Sequence, residues 1–338
     1  MKKILAVLLV LVMVLSLAAC GEKTNDTTAS GDGSNAPTNS GAVNFTNNGN
    51  WIFASGGTSG TYYPLAGAIS TEVNKQIKSN ITVQSTGASK ENVMLLSKDE
   101  AEFAIIQNDV LDYAYNGTGL FKESGKISGF STVASVYAEV CQIVVASDSG
   151  INSVADLKGK RVSIGDAGSG VEANALQILN AHGLTVEDIN VSRLSFKESG
   201  NAFKDGQIDA FFVTSGVPNT AITELSVTRS LKLLDIVGDA ASKLMADYPF
   251  YTVVTIPKDV YKTENDITTL GVRALIVCRD DLSEEEVYLF TKAMYENLDV
   301  LGNAHAKAKE FKLEDAKAGV TVPLHPGAEK FYKEKGIN

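Results

Sequence analysis

The chain has 338 residues, 44% of them hydrophobic, and a formal net charge of −10. That acidity excludes a nucleic-acid binder, because phosphate contacts need clustered Lys and Arg. It also offers no long-range attraction to anions, so an anionic solute must be held by local donors.

Met1-Lys2-Lys3 is a short positive segment, residues 4–17 are almost unbroken apolar, and Leu17-Ala18-Ala19-Cys20 closes the run. This is the layout of an export signal, with an apolar core too short for a comfortable membrane span. A plain secretory signal cut near Cys20 would read the same way. The small residues before Cys20 look like the lipobox of bacterial lipoproteins, which implies signal residues 1–19 and a lipid on Cys20. Residues 20–48 are rich in Gly, Ser, Thr, Asn and Asp and read as a flexible tether. No second run of about 18 apolar residues follows, so the body from Gly49 onward is expected to be soluble, and it is long enough for two domains.

Residues 51–54 form an apolar strand pattern. The turn Ser55-Gly56-Gly57-Thr58-Ser59-Gly60-Thr61 comes next, and Pro64 then opens a helix with Leu65, Ile69, Val73 and Ile77 on one face. Such a turn leaves backbone N–H groups free at the positive end of a helix dipole, which suits an anion. The plainer reading is a tight turn that needs glycine. A strand from Ile81 ends in the small-residue turn 85–89, and a helix is expected over 91–98. Residues 101–106 form the next strand, and Gln107-Asn108-Asp109 leads into a helix over 110–115.

A second series begins after Gly150. Strand Val162-Ser163-Ile164 runs into Gly165-Asp166-Ala167-Gly168-Ser169-Gly170 and a helix over 171–181. A strand is expected over 191–196, a helix over 201–205 and a strongly apolar strand over 208–213. The turn 214–219 starts a helix, and 231–237 reads as a strand. Residues 272–277 form a late strand. Ser283 and Glu286 make a capping box for a helix over 283–298, and His325-Pro326 starts the last helix. Strand–turn–helix alternation, twice over, argues for α/β lobes with helices covering a parallel or mixed sheet.

Cys141 and Cys278 both sit in β-like runs with no CxxC or Cys/His cluster nearby, so no metal site is expected and two buried free thiols are favoured over a disulfide. Gly165 to Gly170 has the spacing GxxGxG rather than GxGxxG, and Glu187-Asp188 precedes the next strand instead of ending it. None of His182, His305 and His325 stands beside a nucleophile elbow. An enzyme, and a cofactor, are therefore not expected.

Glycine- and hydroxyl-rich turns at 55–61, 85–89, 165–170 and 214–218 all follow strands and open helices. In open α/β sheets ligands sit at the carboxyl ends of strands, so these turns can converge on one cleft. The motifs Gly56-Gly57…Gly60…Tyr62-Tyr63-Pro64, Ser89…Glu91-Asn92 and Phe103-Ala104-Ile105-Ile106-Gln107…Asp109-Val110 fit one family pattern. So do Asp156-Leu157-Lys158-Gly159-Lys160-Arg161-Val162, Gly168-Ser169-Gly170…Glu172, Asp209-Ala210-Phe211-Phe212, Gly216…Pro218 and Leu324-His325…Gly327-Ala328.

The chain resembles the TAXI group of solute receptors, which serve ion-driven TRAP membrane transporters. It departs from the pattern at Asn108, where serine is common, and at Ala88, where glycine is common. The resemblance implies a two-lobed α/β fold of periplasmic-binding-protein type, with hinge strands crossing near Ile143 and Leu275. Lobe 1 would comprise 49–144 and 275–338, and lobe 2 would comprise 145–274. It implies a small carboxylate ligand of the glutamate, glutamine or dicarboxylate class. Gly57, Thr58 and Gly60 would hold a carboxylate, and one of Tyr62 and Tyr63 would contact it. Ser89, Asn92, Gln107 and Asn108 would add polar contacts from the first lobe. Gly168, Ser169, Gly170, Ser215 and Gly216 would supply donors from the second on closure. Glu172 is expected to serve its own helix, and Arg161 a structural or surface role. The implied partners are a membrane-embedded permease and, through Cys20, the outer face of a membrane, with the receptor a monomer. A lipoprotein coupled to a sensor, or a surface antigen, would share these lobes and differ only in its partner.

Overall fold

The computed structural model describes residues 44–337. The expected export signal, the lipidated Cys20 and most of the tether lie outside the described residues. The end of that tether does not behave as a linker. Phe45 meets Trp51 edge-on at 5.5 Å, the Trp51 indole donates to the Thr46 carbonyl at 3.0 Å, and the Thr46 N–H donates to Glu286. One aromatic ring among polar neighbours was enough to dock this segment.

The first half of the chain supplies strands β1 (Asn50–Ala54), β2 (Asn80–Gln84) and β3 (Phe103–Gln107). Helices α1 (Tyr62–Ile77), α2 (Ser89–Ser97) and α3 (Asn108–Asn116) follow them one by one. Strand β4 (Phe130–Ala146) then runs through 17 residues, of which only the last third stood out in the sequence as β-like. The second series is β5 (Arg161–Ser163), α4 (Gly170–Ala181), β6 (Asn190–Ser192), α5 (Phe196–Lys204), β7 (Ala210–Ser215), α6 (Thr220–Thr228) and β8 (Leu231–Leu233). Helix α7 (Gly238–Asp247) and strand β9 (Thr252–Ile256) come next, and neither was anticipated. The chain returns through β10 (Ile267–Arg279) to α8 (Glu284–Tyr295), α9 (Leu298–Ala304) and α10 (Pro326–Glu334).

Phe196 opens α5 where a strand end was expected. The cause is local: Ser195 and Glu198 form a capping box, each satisfying the other's backbone N–H. The capping box at Ser283 and Glu286 forms as expected, but that helix stops at Tyr295 and a separate helix, α9, follows.

One sheet runs through the molecule in the order β2-β1-β3-β10-β4-β7-β5-β6, with β8 and β9 paired to β4 and β10. The trios β2-β1-β3 and β6-β5-β7 are parallel within themselves. Strands β4 and β10 are antiparallel to each other and belong to both halves. Residues 130–140 of β4 pair with β10, and residues 140–145 pair with β7. Apolar side chains alternate along each strand and feed a cluster on either face. In the first half Trp51, Phe53, Phe103, Ile105 and Ile276 face α1, α8 and α10, while Ala54, Ala104, Ile106 and Val277 face α2 and α3. In the second half Ile143 and Phe212 lie with α4 and α7, and Val144 and Phe211 lie with α5 and α6. This is the two-lobed architecture of periplasmic binding proteins.

Cys141 and Cys278 are buried free thiols. Helix α10 approaches α8 so closely that a Cβ on Gly327 would lie 2.2 Å from the Glu284 carbonyl and 2.6 Å from the Tyr288 nitrogen. Both neighbours are backbone and cannot turn aside. Gly327→Ala is therefore expected to cost about 1–3 kcal/mol. In urea its midpoint should fall at unchanged slope; an unchanged midpoint would mean that the two helices can separate freely.

Candidate functional site

The carboxyl ends of β1, β3 and β7 meet where β4 passes from one half of the sheet to the other. A small cavity of about 40 Å³ lies there. Gly56, Gly57, Gly60, Thr61, Tyr62, Ala88, Gln107 and Glu139 line it from the first series, and Val171, Phe196, Thr214 and Ser215 from the second. Of the residues expected at a ligand site, the cavity thus gathers Gly57, Gly60, Tyr62, Gln107 and Ser215. Thr58 lies instead in an outer groove beside Ser59, Lys197 and Glu224. Tyr63 is half-buried and does not line the cavity.

Several expected contacts have other work. The Asn92 amide donates to the carbonyls of Ser55 at 2.6 Å and Ile105 at 2.8 Å, tying α2 to two strands. Ser89 Oγ accepts from the Gln107 N–H at 3.1 Å. Asn108 accepts from the Arg273 N–H at 3.0 Å and donates to the Gly319 carbonyl at 3.1 Å, and it is absent from the cavity wall. Ser169 caps α4, and Glu172, which also pairs with Arg193, takes the Gly168 N–H. Arg161 forms an exposed ion pair with Asp209.

These bonds rank the helix ends as anion seats. Three of them spend donors on their own side chains. Ser169 and Glu172 cap α4, Asp109 takes the Val110 N–H of α3 at 2.8 Å, and Asn219 takes those of Ala221 and Ile222 in α6. The N-caps of α1 and α2, Thr61 and Ala88, make no such bond, although Glu91 takes the Gly87 N–H just ahead of α2. Pro64 has no N–H and Leu65 donates to the Thr61 carbonyl at 3.2 Å, so in α1 the Tyr62 and Tyr63 N–H groups are left for another acceptor. Gly60, expected to hold the anion, instead donates to the Gly57 carbonyl at 2.9 Å inside the turn.

Glu139 was missed in the sequence, although an acid inside the apolar stretch from Val136 to Ile143 is a legible signal. It is 2% exposed. The Tyr62 hydroxyl donates to one of its oxygens at 2.6 Å, and the Tyr137 hydroxyl approaches the other at 3.4 Å. Burial pushes its carboxyl up to about 8, and the nearby Asp109 charge adds to the rise; the two hydroxyls and the more distant Lys307 charge oppose it. Lys307 was also missed. It is nearly buried, pairs with Glu310, stands 5.9 Å over the Tyr137 ring, and lies against Gly216.

Beside the cavity the two halves are laced by buried polar groups. The Gln107 amide donates to Asn174 at 2.9 Å, and Asn174 donates to Asp109 at 2.9 Å and to the Tyr251 hydroxyl at 2.9 Å. Gln177 donates to the Tyr113 hydroxyl at 2.9 Å and accepts from Tyr251 at 2.6 Å. Burial raises the Asp109 carboxyl to about 6. Gly170 packs against this lacing: a Cβ there would lie 2.0 Å from Gln107 Oε1. Neither Gly170 nor Gly60 has a positive φ, so a side chain at 170 would be opposed by the Gln107 amide, which it would have to push out of its hydrogen bonds, and not by the backbone. Among the described residues no group of His, Cys, Asp and Glu is arranged to hold a metal.

Residues 53–336 match the NMT1-like family. The chain belongs to the NMT1-like family. Among solved structures it is similar to a protein from Bordetella bronchiseptica RB50, at 15% identity and a TM-score of 0.53, over 86% of this chain and 98% of that one. It also matches the alkanesulfonate-binding protein SsuA from Xanthomonas axonopodis pv. citri, bound to MOPS. There the identity is 16% and the TM-score 0.47, over 84% and 83% of the two chains. A third match is the amino acid ABC transporter substrate-binding protein AbpA from Streptococcus pneumoniae, bound to L-arginine. Identity is 12% and the TM-score 0.46, over 78% and 97%.

Because Glu139 and Asp109 titrate above their unfolded values, the folded chain keeps protons that the unfolded chain has lost. The stability they affect therefore falls as pH rises, from about 4.5 to about 8 for Glu139 and from 3.8 to about 6 for Asp109. Glu139→Gln should flatten the upper part of this profile, with melting temperature against pH as the readout. A parallel profile in the variant would show Glu139 to be ionised throughout. Asn174→Asp places a second acid against Asp109 in the NMT1-like chain. It should lower the closed-to-open ratio about tenfold or more, seen as a larger radius of gyration in small-angle scattering. An unchanged radius would mean that the lacing does not hold the lobes together.

Proposed function

We propose that this NMT1-like chain is an extracytoplasmic solute receptor that closes its lobes on a small carboxylate and hands it to a TRAP-type permease. The observation that carries the reading is the uncapped end of α1 facing a cavity whose walls come from both halves of the sheet. The α1 dipole and its free N–H groups attract a carboxylate there without help from the chain's net charge. The small cavity suits a solute of few heavy atoms. Thr61 and Thr214 line the cavity from the two sides and add neutral polar contacts, whereas the Gln107 amide and the Ser215 hydroxyl, also in the wall, are engaged by Asn174 and by Asn219 and Gly216.

The lobes comprise 49–144 with 275–338, and 145–274, hinged where β4 and β10 cross. Closure is a population shift whose size is the solute's difference in affinity for the two states. The chain does no chemistry on its solute. Cys20 carries the lipid that keeps the receptor beside its permease. Support for the TRAP partner comes from the motifs quoted above and for the anchor from the residues preceding Cys20.

Thermal shift of the full chain in detergent, against small mono- and dicarboxylates, amino acids, sugars and nucleotides, tests this reading. A saturating rise is expected with a small carboxylate, amounting to about 2.7 kcal/mol at a hundredfold excess over Kd. A response confined to sugars or nucleotides would sink it. In the same assay Gly170→Ala should weaken binding at least about tenfold, because its methyl group blocks closure. Gly67→Ala, in α1 and away from the cavity wall, should leave binding within about threefold, since a Cβ there meets nothing within 4 Å. Equal effects at the two positions would remove closure from the account.

A further inference from the structure

Glu139 sits on the floor of the cavity with capacity to spare. An ionised carboxylate has about four acceptor positions, and each tyrosine hydroxyl supplies a single proton. Tyr62 fills one position well and Tyr137 another at 3.4 Å. Among the described residues no Lys, Arg or His forms an ion pair with Glu139, and the nearby Lys307 is engaged by Glu310. A buried carboxylate without a cation is costly, and the cost is removed by a proton or by a cation brought in from outside. Tyr62 couples this acid to the anion seat: it is the first residue of α1, and its hydroxyl reaches Glu139. One end of the cavity therefore favours negative charge and the other favours positive charge.

We infer that Glu139 selects the solute's ammonium group, so that the cleft takes a zwitterionic amino acid in preference to the same acid without its amine. This inference rests on the receptor reading above and narrows its solute class. The solute's carboxylate lies at the α1 end, and its ammonium donates to the free positions on Glu139. An amine-free dicarboxylate would bring a second negative charge against Glu139 and could bind well only if that acid were protonated. Tyr137, whose hydroxyl approaches the second Glu139 oxygen at 3.4 Å, is a positioning residue.

Isothermal titration of the full chain in detergent at pH 8.5, above the value of about 8 for Glu139 in the solute-free fold and below the loss of the solute's ammonium proton, with matched pairs, decides the matter. The pairs are glutamate and glutarate, glutamine and glutaramate, and aspartate and succinate, with 2-oxoglutarate as an isosteric acid lacking the amine. The amino acid of at least one pair should bind about a hundredfold tighter than its partner. Glu139→Gln should abolish most of that preference by weakening the amino acid, leaving the amine-free acid unchanged or tighter. Tighter or equal binding of the amine-free acid by the unaltered chain would overturn the inference while sparing the receptor reading. So would a Glu139→Gln chain that keeps the preference. The first of these needs no variant, so a misfolded substitution cannot protect the idea. Failure of every carboxylate to bind would take the receptor reading down as well, which separates the two.

Discussion

Two antiparallel strands, β4 and β10, belong to both halves of the sheet, and every other feature of the cleft depends on where they cross. Up to residue 140 β4 is a partner of β10 in the first half, and from residue 140 it is a partner of β7 in the second. Glu139 stands at that change of partner. The parallel trios on either side then aim the carboxyl ends of their strands at the same place. A cleft, a change of strand partner and a buried acid thus share one location because one strand serves two halves.

The helix ends around the cleft look alike in sequence and differ in what they have left to offer. A side chain that caps its own helix uses the donors an anion would need. Ser169, Asp109 and Asn219 do this, and Thr61 does not. A glycine- and hydroxyl-rich turn is thus a necessary feature of a backbone anion site and a poor discriminator among several. The hydroxyls that make such a turn look inviting are often the groups that close it.

The polar groups at the cleft fall into two contributors that share Gln107, the cavity wall and the lacing between the halves. The lacing of Gln107, Asp109, Asn174, Gln177 and Tyr251 acts between the halves and is satisfied within the protein. Gly170 belongs to the second contributor, since its role is to let Gln107 approach.

The α/β alternation, the capped helix after Ser283 and the unpaired thiols were legible because each rests on local spacing or composition. Family membership was legible in part from dispersed motifs. The sequence by itself therefore determined two series of strands and helices and the set of turns that could face a cleft. It did not reveal that Asn92 and Asn108 are consumed by distant backbone groups, or that Phe45 docks on Trp51. Nor could it place Glu139 beside Tyr62, 77 residues away in the chain. Tertiary structure decided which donors stay free, because a hydrogen bond to a remote carbonyl leaves no trace in local pattern. It decided the site for the same reason: burial and partners, which set the charge state of Glu139, exist only after the chain has brought β4, α1 and β7 together.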